Sequence, residues 1–297
     1  MKQIMVVVAA AVMLLASTGL AGEPWKIDLE NNATLTQNVY SDNWVGGEAS
    51  ALSWVFNSNS IAEKQLRARI HNKNTLKLSF GQTHNQDVET KKWTSPVKST
   101  DLIDFESVFR ITIDSFVDPF IAGRVETQFL DASDPEKNRY INPVKITESI
   151  GAARVFIKTE KREWTARFGA ATRQFINRDV LDPLSGERET FSSNDFGLEF
   201  VNDFKTPLAG DRITYTSKLT VYEALFYSEE DALKGQPGED YWKSPDVNWE
   251  NIFTAGITKY LMVNLYVQLL YDKQIDLGGR LKQTMSLGLT YKFSTAG

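Results

Sequence analysis

Leu281-Lys-Gln-Thr-Met-Ser-Leu-Gly-Leu-Thr-Tyr-Lys-Phe293 is the clearest pattern in the chain. From Met285 the odd positions are Met285, Leu287, Leu289, Tyr291 and Phe293, while the even ones are Ser286, Gly288, Thr290 and Lys292. Side chains two apart in a strand point the same way, so this segment is a strand with one apolar and one polar face.

The same period recurs through the chain. It predicts twelve strands, near 24–41, 48–63, 66–84, 103–114, 118–130, 143–157, 163–175, 191–204, 210–227, 247–258, 261–273 and 281–294. Phe109, Ile111 and Ile113 oppose Arg110, Thr112 and Asp114; Leu261, Val263, Leu265, Val267 and Leu269 oppose Asn264 and Gln268. Strand 2 and strand 6 alternate less sharply. No helical period fits these runs.

The expected links alternate in length. Short ones lie near 63–65, 115–117, 158–162, 207–209 and 259–260; longer ones at 42–47, 85–102, 131–142, 176–190, 228–246 and 274–280. Short turns at one end and longer loops at the other characterise outer-membrane barrels. The long loops are rich in Asp, Asn, Ser, Gly, Lys and Pro, as a solvated end requires. Trp25, Phe116, Trp164, Tyr260 and Tyr291 fall towards the short-turn end, and Tyr40, Trp44, Trp93, Tyr227 and Trp249 towards the other, like two interfacial girdles. A sheet in lipid cannot leave an edge unpaired, so the strands must close. The expected fold is all-β: an up-and-down antiparallel transmembrane β-barrel of about 12 strands. A soluble sandwich or lipocalin-like barrel is the competing architecture.

The first residues read as a secretory signal peptide, 1–21. Lys2 precedes an apolar run at 4–16, and cleavage is expected after Ala21; residues 22–297 then form a single outer-membrane barrel domain. The 297 residues include no cysteine, so stability comes from a core or a closed sheet rather than disulfides. A formal net charge of -5, with no long basic tract, gives no argument for nucleic-acid binding.

If the apolar faces meet lipid, the opposite faces line the lumen. That assignment places Lys77, Arg110, Arg124, Glu126, Arg154, Arg167, Arg173, Glu199, Asn264, Gln268 and Lys282 inward. A lipid-facing Arg or Lys near the midplane would cost about 2–4 kcal/mol. The inward charges either form a narrow path for small solutes or cross-pair and close the barrel. Twelve strands lie between the packed and channel-forming sizes, so strand number leaves both open.

Catalytic signals are sparse. The two histidines, His71 and His84, lie on one predicted strand. Twelve-stranded outer-membrane phospholipases carry a histidine and a nucleophilic serine two residues apart, whereas Lys73 and Gln86 stand there in this chain. A lipid hydrolase is thus the weakest reading, and no enzyme activity is expected. Asp131, Asp134 and Glu136, with Glu229, Glu230, Asp231, Glu239 and Asp240, offer hard oxygens for Ca²⁺ without matching a calcium motif. No cofactor motif is visible. The partners expected are outer-membrane lipids, lipopolysaccharide and the outer-membrane assembly machinery.

Trp25 opens a polar first strand, and Asn43-Trp44-Val45-Gly46-Gly47 precedes the second. This stretch resembles a Bacteroidetes-type outer-membrane family of unknown function with an Asn-Trp-x-Gly-Gly motif. The resemblance implies a barrel and an outer-membrane location, and brings no catalytic residue. Physically, the paired glycines suit a tight link.

Overall fold

The computed structural model describes residues 24–41, 49–134, 136–182 and 185–295. The expected leader and the motif at 43–47 lie outside them. Twelve strands close into one antiparallel barrel: β1 (Lys26–Asn38), β2 (Ala51–Arg67), β3 (Ile70–Asn85), β4 (Val97–Ile111), β5 (Asp118–Thr127), β8 (Val144–Lys158), β9 (Glu163–Leu181), β10 (Arg188–Leu208), β11 (Ile213–Tyr227), β12 (Asp246–Gly256), β13 (Leu261–Tyr271) and β14 (Arg280–Ser294). Each pairs with its neighbours in chain order, and β14 returns to β1. Between β5 and β8, two short strands, β6 (Leu130–Asp131) and β7 (Arg139–Tyr140), pair with each other outside the barrel wall.

Closure follows from the register. Leu289 stands opposite both Ala33 of β1 and Leu261 of β13, so the last strand is bonded on both sides and no edge remains. The odd face of β14 is turned outward: Met285 is 73%, Leu289 63% and Tyr291 58% exposed, whereas Thr290 is buried. Ile121 on β5, Ile150 on β8 and Phe168 on β9 continue this exposed apolar surface round the wall. The core is therefore not apolar. It is the lumen, filled mostly by polar side chains from the opposite parity.

Close packing inside the wall needs glycine where β8 meets β9. Gly151 and Gly169 face each other across β8 and β9. A Cβ on Gly169 would lie 2.2 Å from the carbonyl oxygen of Ile150, closer than any real contact.

Candidate functional site: a charged lumen

Inward parity is identified by side chains that meet across the barrel. Lys77 on β3 donates to Glu250 on β12 at 2.8 Å. Lys218 on β11 donates to Glu106 on β4, also at 2.8 Å. Both pairs join strands five places apart round the ring of twelve, close to opposite walls. Arg167 on β9 donates to the other Glu106 oxygen at 2.6 Å, so one carboxylate gathers cations from two strands. Arg124 is bidentate to Asp104 at 2.8 and 3.0 Å and lies 3.0 Å from Glu126. Together these groups form a middle layer across the lumen.

A second layer lies at the short-turn end. Lys73 on β3 reaches Glu163 on β9 at 2.6 Å, and Lys158 on β8 reaches Glu63 on β2 at 3.0 Å. Arg110, at the end of β4, bonds Asp118 at 2.6 Å. Between this layer and the Arg167–Glu106 bridge lies a cavity of about 290 Å³.

A third layer lies towards the long loops. Arg173 spreads between Asp195 on β10 and Asp246 on β12, at 2.8 and 2.6 Å. Its guanidinium lies 3.6 Å from the centre of the Tyr222 ring, whose hydroxyl donates to Asp195. Above it, the β11–β12 loop turns into the barrel mouth. A short turn, Tyr241–Lys243, puts Trp242 in a buried cluster with Ala171, Tyr222 and Ala224. All three share the parity of the lumenal charges.

The remaining sequence-assigned residues divide as follows. Gln268 donates to Asn248 at 2.9 Å, and Lys282 on β14 reaches Thr100 on β4 at 3.3 Å. Asn264 and Glu199 have inward parity, opposite Thr254 and Gly169 respectively. Arg154 is a correction. It stands opposite Ala166, on the parity of exposed Ile150 and Phe168, and so points outward. It sits near the short-turn end, donates to the Phe116 carbonyl and lies over that ring at 4.6 Å. A long cation near a rim can reach polar groups while its stem stays on apolar wall. Charge alone suggested the lumen; parity puts it outside.

Sequence reasoning missed many of the partners that complete these layers, Glu63, Glu106, Lys218, Asp246 and Glu250 among them. Their strand parity was the available signal. The long-loop end also holds a lock between segments. Arg139 pairs with Asp131 at 2.7 Å, Asn142 donates to Asp131 and Asn177, and Arg188 meets Asp134 at 2.6 Å. The acids considered for calcium are thus partly engaged by arginines. Among the described residues, no group of three or more His, Cys, Asp or Glu is placed to hold a metal ion.

A family model described as a protein of unknown function (DUF3078) matches residues 35–132. That is less than half of the chain, and it takes in β2 to β5 with Lys73, Lys77, Glu106 and Arg124. The partners Arg167, Lys218 and Glu250 lie beyond it. No curated protein matches. Among solved structures, the chain is similar to the COG4313 outer membrane channel from Pseudomonas putida F1, with 15% identity, 94% of this chain and 99% of that one covered, and a TM-score of 0.40. It is also similar to the translocator domain of the autotransporter NalP from Neisseria meningitidis, with 9% identity, coverage of 98% and 95%, and a TM-score of 0.38.

Proposed function

We propose that this chain is an outer-membrane β-barrel whose lumen is closed at rest, a structural or binding barrel rather than an open pore. The membrane placement is supported by the outward face. A soluble protein rarely exposes contiguous apolar surface beyond a few hundred Å², whereas here exposed Leu, Ile, Phe and Met recur on strand after strand. The expected leader and the alternation of short turns with long loops point the same way. Lipid, including lipopolysaccharide at the long-loop side, would cover this belt, and insertion would fall to the outer-membrane assembly machinery.

The observation that carries closure is the Arg167–Glu106–Lys218 bridge. With Lys77–Glu250 it ties nearly opposite walls across the lumen. An ion crossing would have to break buried, mutually paired charges, while Trp242 fills the long-loop mouth. The narrow-pore reading would require these bridges to separate. Single-channel recording of the refolded chain in a planar bilayer tests this. Silence at moderate voltage is the expected result; reproducible conductance steps from the unaltered protein would refute closure.

A further inference from the structure

On the outer wall, one charge breaks the apolar rule. Glu148 on β8 stands between Thr147 and Ser149, both buried on the lumenal parity, and is itself exposed. Its register partners are Gly123 on β5 and Thr172 on β9. Thr172 in turn faces Phe196, which is exposed on the outside of the barrel. Glu148 therefore projects outward. Its carboxylate has no ion pair or hydrogen bond among the described residues. Ionisable side chains at membrane depth are rare without a partner and mark sites where one is supplied.

The carboxylate opens onto a groove of about 690 Å³ in the outer wall. Phe109, Ile121, Ile150 and Phe196 rise around it, each of them exposed. Gly123 and Ala170 lower its floor, and a Cβ on Gly123 would meet nothing within 4 Å. Glu148 is the only charged residue among the described residues that line it. One unmatched negative charge in an apolar trough fits an occupant with one cation and a hydrocarbon tail.

Depth and parity identify its source. Glu148 is the fifth residue of β8 counted from the long-loop end. At about 3.3 Å per residue and a tilt of about 40°, it lies roughly 10 Å below that end, within reach of a lipid headgroup. A second copy standing beside the first in one membrane presents its own groups at matching depths. Arg154, the outward cation of the same strand, lies near the opposite rim and is held by the Phe116 carbonyl, so it does not supply the charge.

We propose that this groove binds a lipid with a primary ammonium headgroup, its N–H groups donating to Glu148 and one acyl chain lying over Gly123 and Ala170. The inference rests on the membrane placement proposed above and is independent of closure of the lumen.

Native mass spectrometry of the full barrel, from micelles doped equally with phosphatidylethanolamine and phosphatidylglycerol of the same acyl chains, tests it. One phosphatidylethanolamine should be retained with at least about tenfold preference, as expected for a charged hydrogen bond. Glu148→Gln should remove that preference. Gly123→Leu fills the groove without touching a charge and should displace the lipid. Glu223, a second exposed carboxylate of the outer wall, stands opposite Leu198 and outside the groove. Glu223→Gln should keep the preference, and losing it there as fully as in Glu148→Gln would mean diffuse attraction and overturn the site. Equal retention of the two lipids, or a preference that survives Glu148→Gln, would overturn the site alone. Retention of neither lipid would overturn it together with the membrane placement.

Discussion

Glu106→Ala is the sharpest perturbation of the lumenal network. Glu106 accepts from Arg167 at 2.6 Å and Lys218 at 2.8 Å. The two cations are 5% and 14% exposed in their side chains, so water screens them little. Removing the carboxylate leaves both charges without their acceptor. Breaking a buried pair in this way costs about 3–5 kcal/mol. Lys218→Met should cost less, about 1.5–3 kcal/mol for one charged hydrogen bond, because Glu106 keeps Arg167. The triple variant Glu106→Ala, Arg167→Met, Lys218→Met should recover much of the loss, since no unpaired charge remains. Equilibrium urea unfolding in lipid vesicles, followed by tryptophan fluorescence, measures all three if the slope m is unchanged. A loss below about 1 kcal/mol for Glu106→Ala would mean that water reaches these cations, and the bridge would not close the lumen.

Further outcomes follow from other parts of the structure. Trp242→Ala should unpack the loop from Tyr222 and Ala224 and expose the β11–β12 loop to protease in micelles, whereas an unchanged cleavage pattern would put the mouth seal elsewhere. Gly169→Val should destabilise the barrel by about 1–3 kcal/mol through overpacking against β8, read from the shift in urea midpoint; a neutral result would contradict the close approach of the two glycines. At the long loops, the hydrogen bond from Arg188 pushes Asp134 down to about 2 from the ordinary 3.8. A depressed carboxylate contributes stability above its ordinary value and loses it as pH falls through the lowered one. The Asp134–Arg188 contact should therefore hold at pH 3 and release near pH 2, and a carboxyl-carbon NMR titration should find Asp134 raised towards the ordinary range in Arg188→Leu, with the backbone hydrogen bond from Glu136 still holding it below.

Much of the barrel was legible because its wall obeys one rule, apolar outward and polar inward with period two. All twelve expected strands correspond to strands of the barrel. The errors have physical causes. β4 begins at Val97 rather than near 103, because Val97, Lys98 and Thr100 continue the pairing with β3 beyond the apolar zone, across a bulge at Ser99. β9 and β10 run on to Leu181 and back from Arg188, where a long loop was expected. Arg139 and Arg188 hold that extension by bonds to the Arg178 and Asp179 carbonyls, and polar strands of this kind leave no apolar period to read. In the lumen, strand parity was the guide to inward residues, and it could not name their partners. Lys77 and Glu250 are 173 residues apart, and only the closed register brings them together. Arg154 failed because Ile150-Gly151-Ala152-Ala153 alternates too weakly to set parity, leaving charge as the guide. Trp242 lies in a turn of three residues, too short to have a period.

The most direct test of the membrane barrel returns to β14. The chain has no cysteine, so single cysteines can be placed at will. Cysteines at Met285, Leu287 and Leu289, labelled with a small fluorophore in vesicles, should be quenched by spin-labelled acyl chains. Cysteines at Ser286 and Thr290 should escape that quenching. Alternation with period two along the strand is the predicted result. Equal quenching at odd and even positions, or odd positions reached only by a water-soluble quencher, would contradict a barrel whose apolar face lies in lipid.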